Sequence, residues 1–300
     1  MNGKPVPLSL AFEQRQSLAA LAQVGVSSAF AFMRPKRNPE AFQSIRDIIE
    51  PPSDRLIDSY LDWLTTPHER RNARMVPPHM FSQWTIPLAT RILLQTCYPL
   101  SNIINLGCEV KVNGEIRRGE KLIMHAELAN LEETDNRVKF SVRVSTSTTR
   151  YPNAIEALSH ALLPKQNVFP LETKSRDAFD WECVGRWRVD ENDGLRYALL
   201  TGDFNPVHWM DFAARLSPFG QKVLHGFGSL SLCWDALQRS EAEANRIRKI
   251  NVRFSRPVPL PSTEMSVLRS EPKLSGARRV ALRAADGGIH LIGEYRAAER

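Results

Sequence analysis

Residues 197–230 read YALLTGDFNPVHWMDFAARLSPFGQKVLHGFGSL: a helical run that stops at a glycine, a bent polar loop, and the opening of a second, apolar helix. Gly202 tolerates the left-handed backbone that ends a helix, and Asn205-Pro206 forces an extended turn. Asp203 and His208, five positions apart, therefore belong to one bent loop that brings a carboxylate and an imidazole to a common point. An imidazole titrates near neutral pH, and a carboxylate beside it fixes its orientation or shares its proton, which is what general acid–base chemistry requires. Fifteen residues after His208, Val223-Leu224-His225-Gly226-Phe227-Gly228 starts the apolar helix. Gly226 at a helix start offers an unobstructed N–H with the positive end of the helix dipole behind it, a place for a developing oxyanion. The plainer reading of Asp203 and Asn205-Pro206 is an ordinary turn, since Asx side chains bond their own backbone. It accounts for neither His208 nor His225-Gly226. His225, beside a helix start, reads as a supporting residue behind the reacting pair more readily than as a catalyst.

The rest of the chain repeats one layout. Residues 104–163 hold short alternating segments, GCEVKV, EKLIMHAEL, VKFSVRVST and EALSHALL, separated by Asn113-Gly114, Gly119 and Asp135-Asn136, which predicts an antiparallel meander. WTIPLATRILLQTCYPL, residues 84–100, predicts a buried helix just before it. Pro164 to Arg176 lacks periodicity and sits near the midpoint, which sets the domains at 1–165 and 166–300. Beyond it come WECVGRWRV as strand, GLRYALLTG as helix, an apolar helix over 224–237, and four further strands. Tyr60 begins YLDWLTT as Tyr197 begins YALLTGD, and INLGCEVKV is answered by INVRFSRPV, at offsets of 137 and 146 residues. Such offsets indicate a duplicated domain. The first sixty residues read as helix and loop with no recognisable chemistry.

With these residues in hand, GDFNPVH followed by VLHGF is similar to the hydratase 2 signature of the MaoC-like dehydratases, here in the double hot-dog form. Gly202, Asp203, Asn205, Pro206 and His208 at that spacing would arise by chance in about one in ten thousand chains of this length. The resemblance implies an α+β fold of two hot-dog repeats, each a curved antiparallel sheet wrapped around a long helix. It implies reversible syn hydration of trans-2-enoyl thioesters to (R)-3-hydroxyacyl thioesters, with no metal and no redox cofactor. Asp203 and His208 would be the catalytic pair, Asn205 would position the loop or the water, and the Gly226 N–H would hold the thioester enolate. Gly202, His225 and Phe227 would line the substrate site. The first half reads LTTPHERRNARMVPPHMFSQW at the equivalent place and lacks the motif, so one site per chain is expected. Lys222 stands where the family often has proline, and Cys233 and Trp234 where small polar residues are often found. The implied partner is an acyl-CoA or acyl-carrier-protein thioester, and the assembly a homodimer.

Composition sets the outer limits. The 300 residues carry 42% hydrophobic and 24% charged side chains, with 15 Gly and 20 Pro, which excludes collagen, low-complexity disorder and a disulfide scaffold. A net charge of +7 favours anionic partners. The densest basic cluster, Arg246 to Arg256, alternates with apolar residues like a solvated strand face, and no clustered aromatics accompany it, which speaks against nucleic acid. The segment also has the charge to meet the phosphates of coenzyme A or of a carrier protein. Cys97, Cys108, Cys183 and Cys233 fall in no paired spacing, no histidine outside the motif has a zinc-like partner, and no apolar run reaches the length of a membrane span. A cytoplasmic setting with reduced thiols is expected. Two other readings remain: a thioesterase of the same fold, and a protein that binds acyl thioesters without turning them over.

Overall fold

The computed structural model describes residues 5–29, 42–67, 71, 74–165, 180–242 and 245–299. In the first half α1 (Arg15–Ala29), preceded by a 3-10 turn over Leu8–Gln14, is followed by β1 (Ile45–Ile49), α2 (Asp54–Trp63), α3 (Ser82–Leu93), β2 (Ile104–Val112), β3 (Leu122–Glu133), β4 (Arg137–Ser147) and β5 (Ile155–Pro164). In the second half come β6 (Trp181–Trp187), α4 (Asp193–Thr201), α5 (Asp211–Leu216), α6 (Gly226–Ser240), β7 (Asn245–Phe254), β8 (Met265–Ser270), β9 (Arg278–Ala284) and β10 (Ile289–Glu299).

The strands form one ten-stranded sheet in the order β1-β3-β4-β5-β2-β7-β10-β9-β8-β6. Each half has the same internal order, the second running as the reverse of the first from the β2–β7 seam, and this is the double hot-dog fold. Duplication is thus visible in topology as well as in sequence. The seam is antiparallel, with Cys108 opposite Val252 and Val110 opposite Ile250. Strand alternation supplies the inner face. In β4, Val138, Phe140, Val142 and Val144 point inward in strict alternation with their neighbours. One hydrophobic core runs through both halves, from Leu56, Tyr60 and Met80 to Tyr197, Trp234 and Leu291.

Four expectations change. The meander is β3-β4-β5 only. β2 crosses to the far side of β5 because its other edge must meet β7. The helix read over 84–100 spans Ser82–Leu93, for Thr96 Oγ1 donates to the Leu93 carbonyl and the chain turns before Pro99, which has no N–H to continue a helix. A strand, β1, lies within the stretch read as helix and loop, and α5 interrupts the loop after His208. Residues 166–179, with most of the midpoint connector, fall outside the described residues.

Two helices per half carry the contacts that matter for the site. α2 and α4 are equivalent, and Tyr60 and Tyr197, matched in sequence, are both fully buried on them. Trp63 at the end of α2 packs on Tyr197 at 5.2 Å between ring centroids and donates its Nε1–H to Asp193 Oδ1 at 3.0 Å. Phe81, before α3, meets Phe227 of α6 edge-on at 5.4 Å. Replacing Trp63 with phenylalanine keeps most of the packing and removes a buried hydrogen bond to a carboxylate, so Trp63→Phe is expected to lower the unfolding free energy by about 1–3 kcal/mol. Urea unfolding with an unchanged m-value is the check.

Candidate active site

α4 holds both ends of the loop. Its last residue, Thr201, is followed by Gly202 at φ 81°, a left-handed cap whose N–H bonds the Ala198 carbonyl at 2.7 Å. Asp203 leaves the helix there. The loop then folds on itself: the Asn205 side chain accepts from Val207 N at 3.3 Å, His208 N donates to the Asn205 carbonyl at 3.1 Å, and Trp209 Nε1 donates to the Phe204 carbonyl at 3.1 Å. At the other end of α4, Gly194 lies against the His208 backbone, and a side chain there would collide with the His208 carbonyl oxygen.

The two loop residues and His225 come together. One side-chain donor atom from each of Asp203, His208 and His225 lies within 4.8 Å of the others. The His208 ring stacks on that of His225, centroids 3.6 Å apart and planes inclined at 28°. His208 Nδ1 lies 2.7 Å from the Val223 carbonyl, which only accepts, so Nδ1 carries the proton and Nε2 presents its lone pair. By the same logic His225 donates Nε2–H to the Asp203 carbonyl at 2.8 Å. Its Nδ1 is buried without a partner, and its ring rests on Tyr197 at 4.9 Å. His225 therefore grips the backbone of the loop from the N-terminus of α6. Burial holds the His208 pKa below its ordinary value against the opposing pull of the Asp203 carboxylate and the Val223 carbonyl. Burial, and then His208, push that of His225 lower still.

Gly226 is the first residue of α6, so its N–H lies outside the helical ladder. Phe254 of β7 stands against it, for a Cβ on Gly226 would come within 2.7 Å of that ring. Phe227 is buried between Phe81 and Phe254. Asp203 and His208 themselves are half-buried, open to solvent on one side. The Asp203, His208 and His225 set has the composition of a metal site, yet its stacking resists chelation. A metal sits in the plane of each imidazole it binds, about 2.1 Å from nitrogen. With centroids 3.6 Å apart and planes inclined at only 28°, the two rings lie nearly face to face, an arrangement in which two in-plane lone pairs do not converge on one ion.

Gly194, Tyr197, Val223 and Phe254 build this site and were not singled out by sequence as part of it. The signals among them were the pairing of Tyr197 with Tyr60 and the place of Val223 at the head of VLHGF. In the first half His79-Met80-Phe81 precedes α3 as His225-Gly226-Phe227 opens α6. Tyr60 OH donates to the His79 carbonyl and lies 3.0 Å from His79 Nδ1, but Met80, fully buried, takes the place of the glycine. Residues 68–70 and 72–73 of the equivalent loop lie outside the described residues.

Comparison with known proteins bears on the fold and on the second half of the chain. The family model described as "MaoC like domain" matches residues 179–281, a span that includes the loop, α6 and β7. Over that span the chain is similar to a MaoC like domain. HtdX of Mycobacterium tuberculosis superposes with a TM-score of 0.69 at 19% identity, covering 85% of this chain and 100% of that one. A MaoC-like dehydratase from Phytophthora capsici gives 0.71 at 13%, covering 88% and 98%. A second M. tuberculosis protein, described as having a double hotdog fold, gives 0.58 at 10%, covering 89% and 98%. No curated protein matches the chain by sequence. The matched span thus lies in the half that carries Asp203 and His208. Among the described residues no helix is long and apolar enough to cross a membrane.

The buried histidines make stability depend on pH. Burial lowers the pKa of His79 to about 3, and those of His208 and His225 below their ordinary 6.5. The unfolded chain binds these protons at about pH 6.5 and the fold resists them, so stability is full above that pH and falls as pH drops through about 6.5 toward 3. Urea midpoints at pH 7.5 and pH 5 are expected to differ accordingly. Equal midpoints would mean that the histidines are not held neutral.

Proposed function

We propose that this chain adds water across trans-2-enoyl thioesters to give (R)-3-hydroxyacyl thioesters, and removes it in reverse. The observation that carries the reading is the single free lone pair at His208 Nε2, held beside the Asp203 carboxylate while Nδ1–H is tied to the Val223 carbonyl. A neutral imidazole in that tautomer is a base at physiological pH, and burial keeps it neutral.

Asp203 and His208 would share one water. His208 Nε2 takes a proton as the water oxygen bonds C3, the C2–C3 π electrons move into the thioester carbonyl, and the resulting enolate oxygen accepts from the Gly226 N–H. The imidazolium, its charge offset by Asp203, then returns the proton to C2 on the same face, which makes the addition syn. Asn205 holds the loop through Val207 N, and His225 holds it through the Asp203 carbonyl. Gly202, Phe227 and Phe254 would border the substrate. In this reading residues 166–300 are the catalytic unit and residues 1–165 the supporting one. The +7 charge suits an acyl-CoA or acyl-carrier-protein thioester.

Crotonyl and longer enoyl thioesters on both carriers, with chiral analysis of the product, test the proposal. Loss of enoyl absorbance with the (R)-alcohol formed is expected. Release of free thiol without hydration would assign a thioesterase instead, and binding without turnover an acyl-thioester sensor. Asp203→Asn and His208→Ala are each expected to lower turnover at least about a hundredfold in folded protein. Gly194→Ala, whose methyl would displace the His208 backbone, is expected to cost about tenfold to a hundredfold without touching substrate.

A further inference from the structure

Asp203 turns out of α4 at a point where the helix forfeits a hydrogen bond. Had α4 continued, the Asp203 N–H would have bonded the Leu199 carbonyl four residues earlier. The turn at Gly202 takes that donor away and leaves the carbonyl of a buried residue needing another. Gln14 supplies it: its Nε2 donates to the Leu199 carbonyl at 3.1 Å. Gln14 is 1% exposed, so the bond is shielded from water. The other end of the same amide accepts from Gln83 Nε2 of α3 at 3.2 Å, which fixes the orientation of the group. One turn later Ser17 packs against Gly202 so closely that a side chain at position 202 would run into it.

We propose that Gln14 is a positioning residue for the reacting loop: its amide stands in for the Asp203 N–H at the Leu199 carbonyl, so that Asp203 stays out of the helix and beside His208. Its catalytic consequence rests on the reading of Asp203 and His208 as the reacting pair. The segment that carries it, at the very start of the chain, belongs to the half without the motif. Without this donor the buried carbonyl is left unpaired, and the lowest-cost remedy is one more residue of helix, which swings Asp203 away. Gln14 touches no reacting atom and acts only through where Asp203 lies.

Gln14→Leu keeps the volume and removes both hydrogen bonds. Gln83→Leu removes only the bond that orients the amide. In Gln14→Leu, kcat is expected to fall about tenfold to a hundredfold with KM little changed, and Gln83→Leu to fall less in the same direction. NMR titration of the His208 ring supplies a second reading, expected to move to lower pH in both variants because the Asp203 carboxylate no longer faces it as before. A folded Gln14→Leu protein that is less stable, yet keeps wild-type kcat and the wild-type His208 titration, would overturn the proposal and leave Gln14 a packing residue. Should Gln14→Leu fail to fold, Gln83→Leu decides by the same readings. If wild type hydrates no enoyl thioester, the proposed reaction fails, while the His208 titration still decides the role of Gln14.

Discussion

Pairing β2 with β7 hides two strand edges that would otherwise present rows of unpaired N–H and C=O groups, and it turns two five-stranded sheets into one. The rest of the molecule depends on that seam. It brings the helices of both halves onto one concave face, where α3 and the chain before it reach α4 and α6. Trp63 to Asp193, Phe81 to Phe227 and Gln14 to Leu199 are contacts between halves, and none of them could form in a single repeat.

The second half carries Asp203, His208 and His225 together, and the first half packs against the elements that hold them. Its own Tyr60 and His79 are locked to each other in the core, and Met80 occupies the place of the glycine. A buried methionine offers no room for an oxyanion, and a histidine held neutral down to about pH 3 is a poor proton carrier. Among the described residues, duplication followed by such filling leaves the first-half counterpart of His225-Gly226 packed into the core. The unequipped repeat contributes stiffness: Ser82 lies 3.1 Å from the Tyr197 hydroxyl, whose ring carries His225.

Stacked imidazoles define the character of the site. Each ring has one nitrogen committed to a backbone carbonyl, His208 to Val223 and His225 to Asp203, so the tautomers are set by main-chain geometry. Burial disfavours a second charge beside the first. The pair therefore behaves as one base with a fixed neutral neighbour.

Much of this was legible along the chain. Gly202-Asp203-Phe204-Asn205-Pro206-Val207-His208 announced a bent loop because glycine and proline restrict the backbone locally, whatever surrounds them. Alternation in VKFSVRVST and the two offsets near 140 residues announced sheets and duplication, since period and repeat are properties of sequence itself. The crossing of β2, the short β1 and the length of α3 were not legible, because each is settled by an edge or partner far away in the chain. The same holds for Gly194, Phe254 and Gln14. A glycine in a helix, a phenylalanine ending a strand and a glutamine near the start carry no local mark of function. They acquire one only when the fold sets a backbone carbonyl, a helix start or an abandoned hydrogen bond against them. The sequence by itself determined which groups share one bent loop as candidates for the chemistry, because side-chain type and local spacing are properties of the chain. Only the tertiary structure decided what holds them in place, because that depends on distances between residues that the chain does not connect.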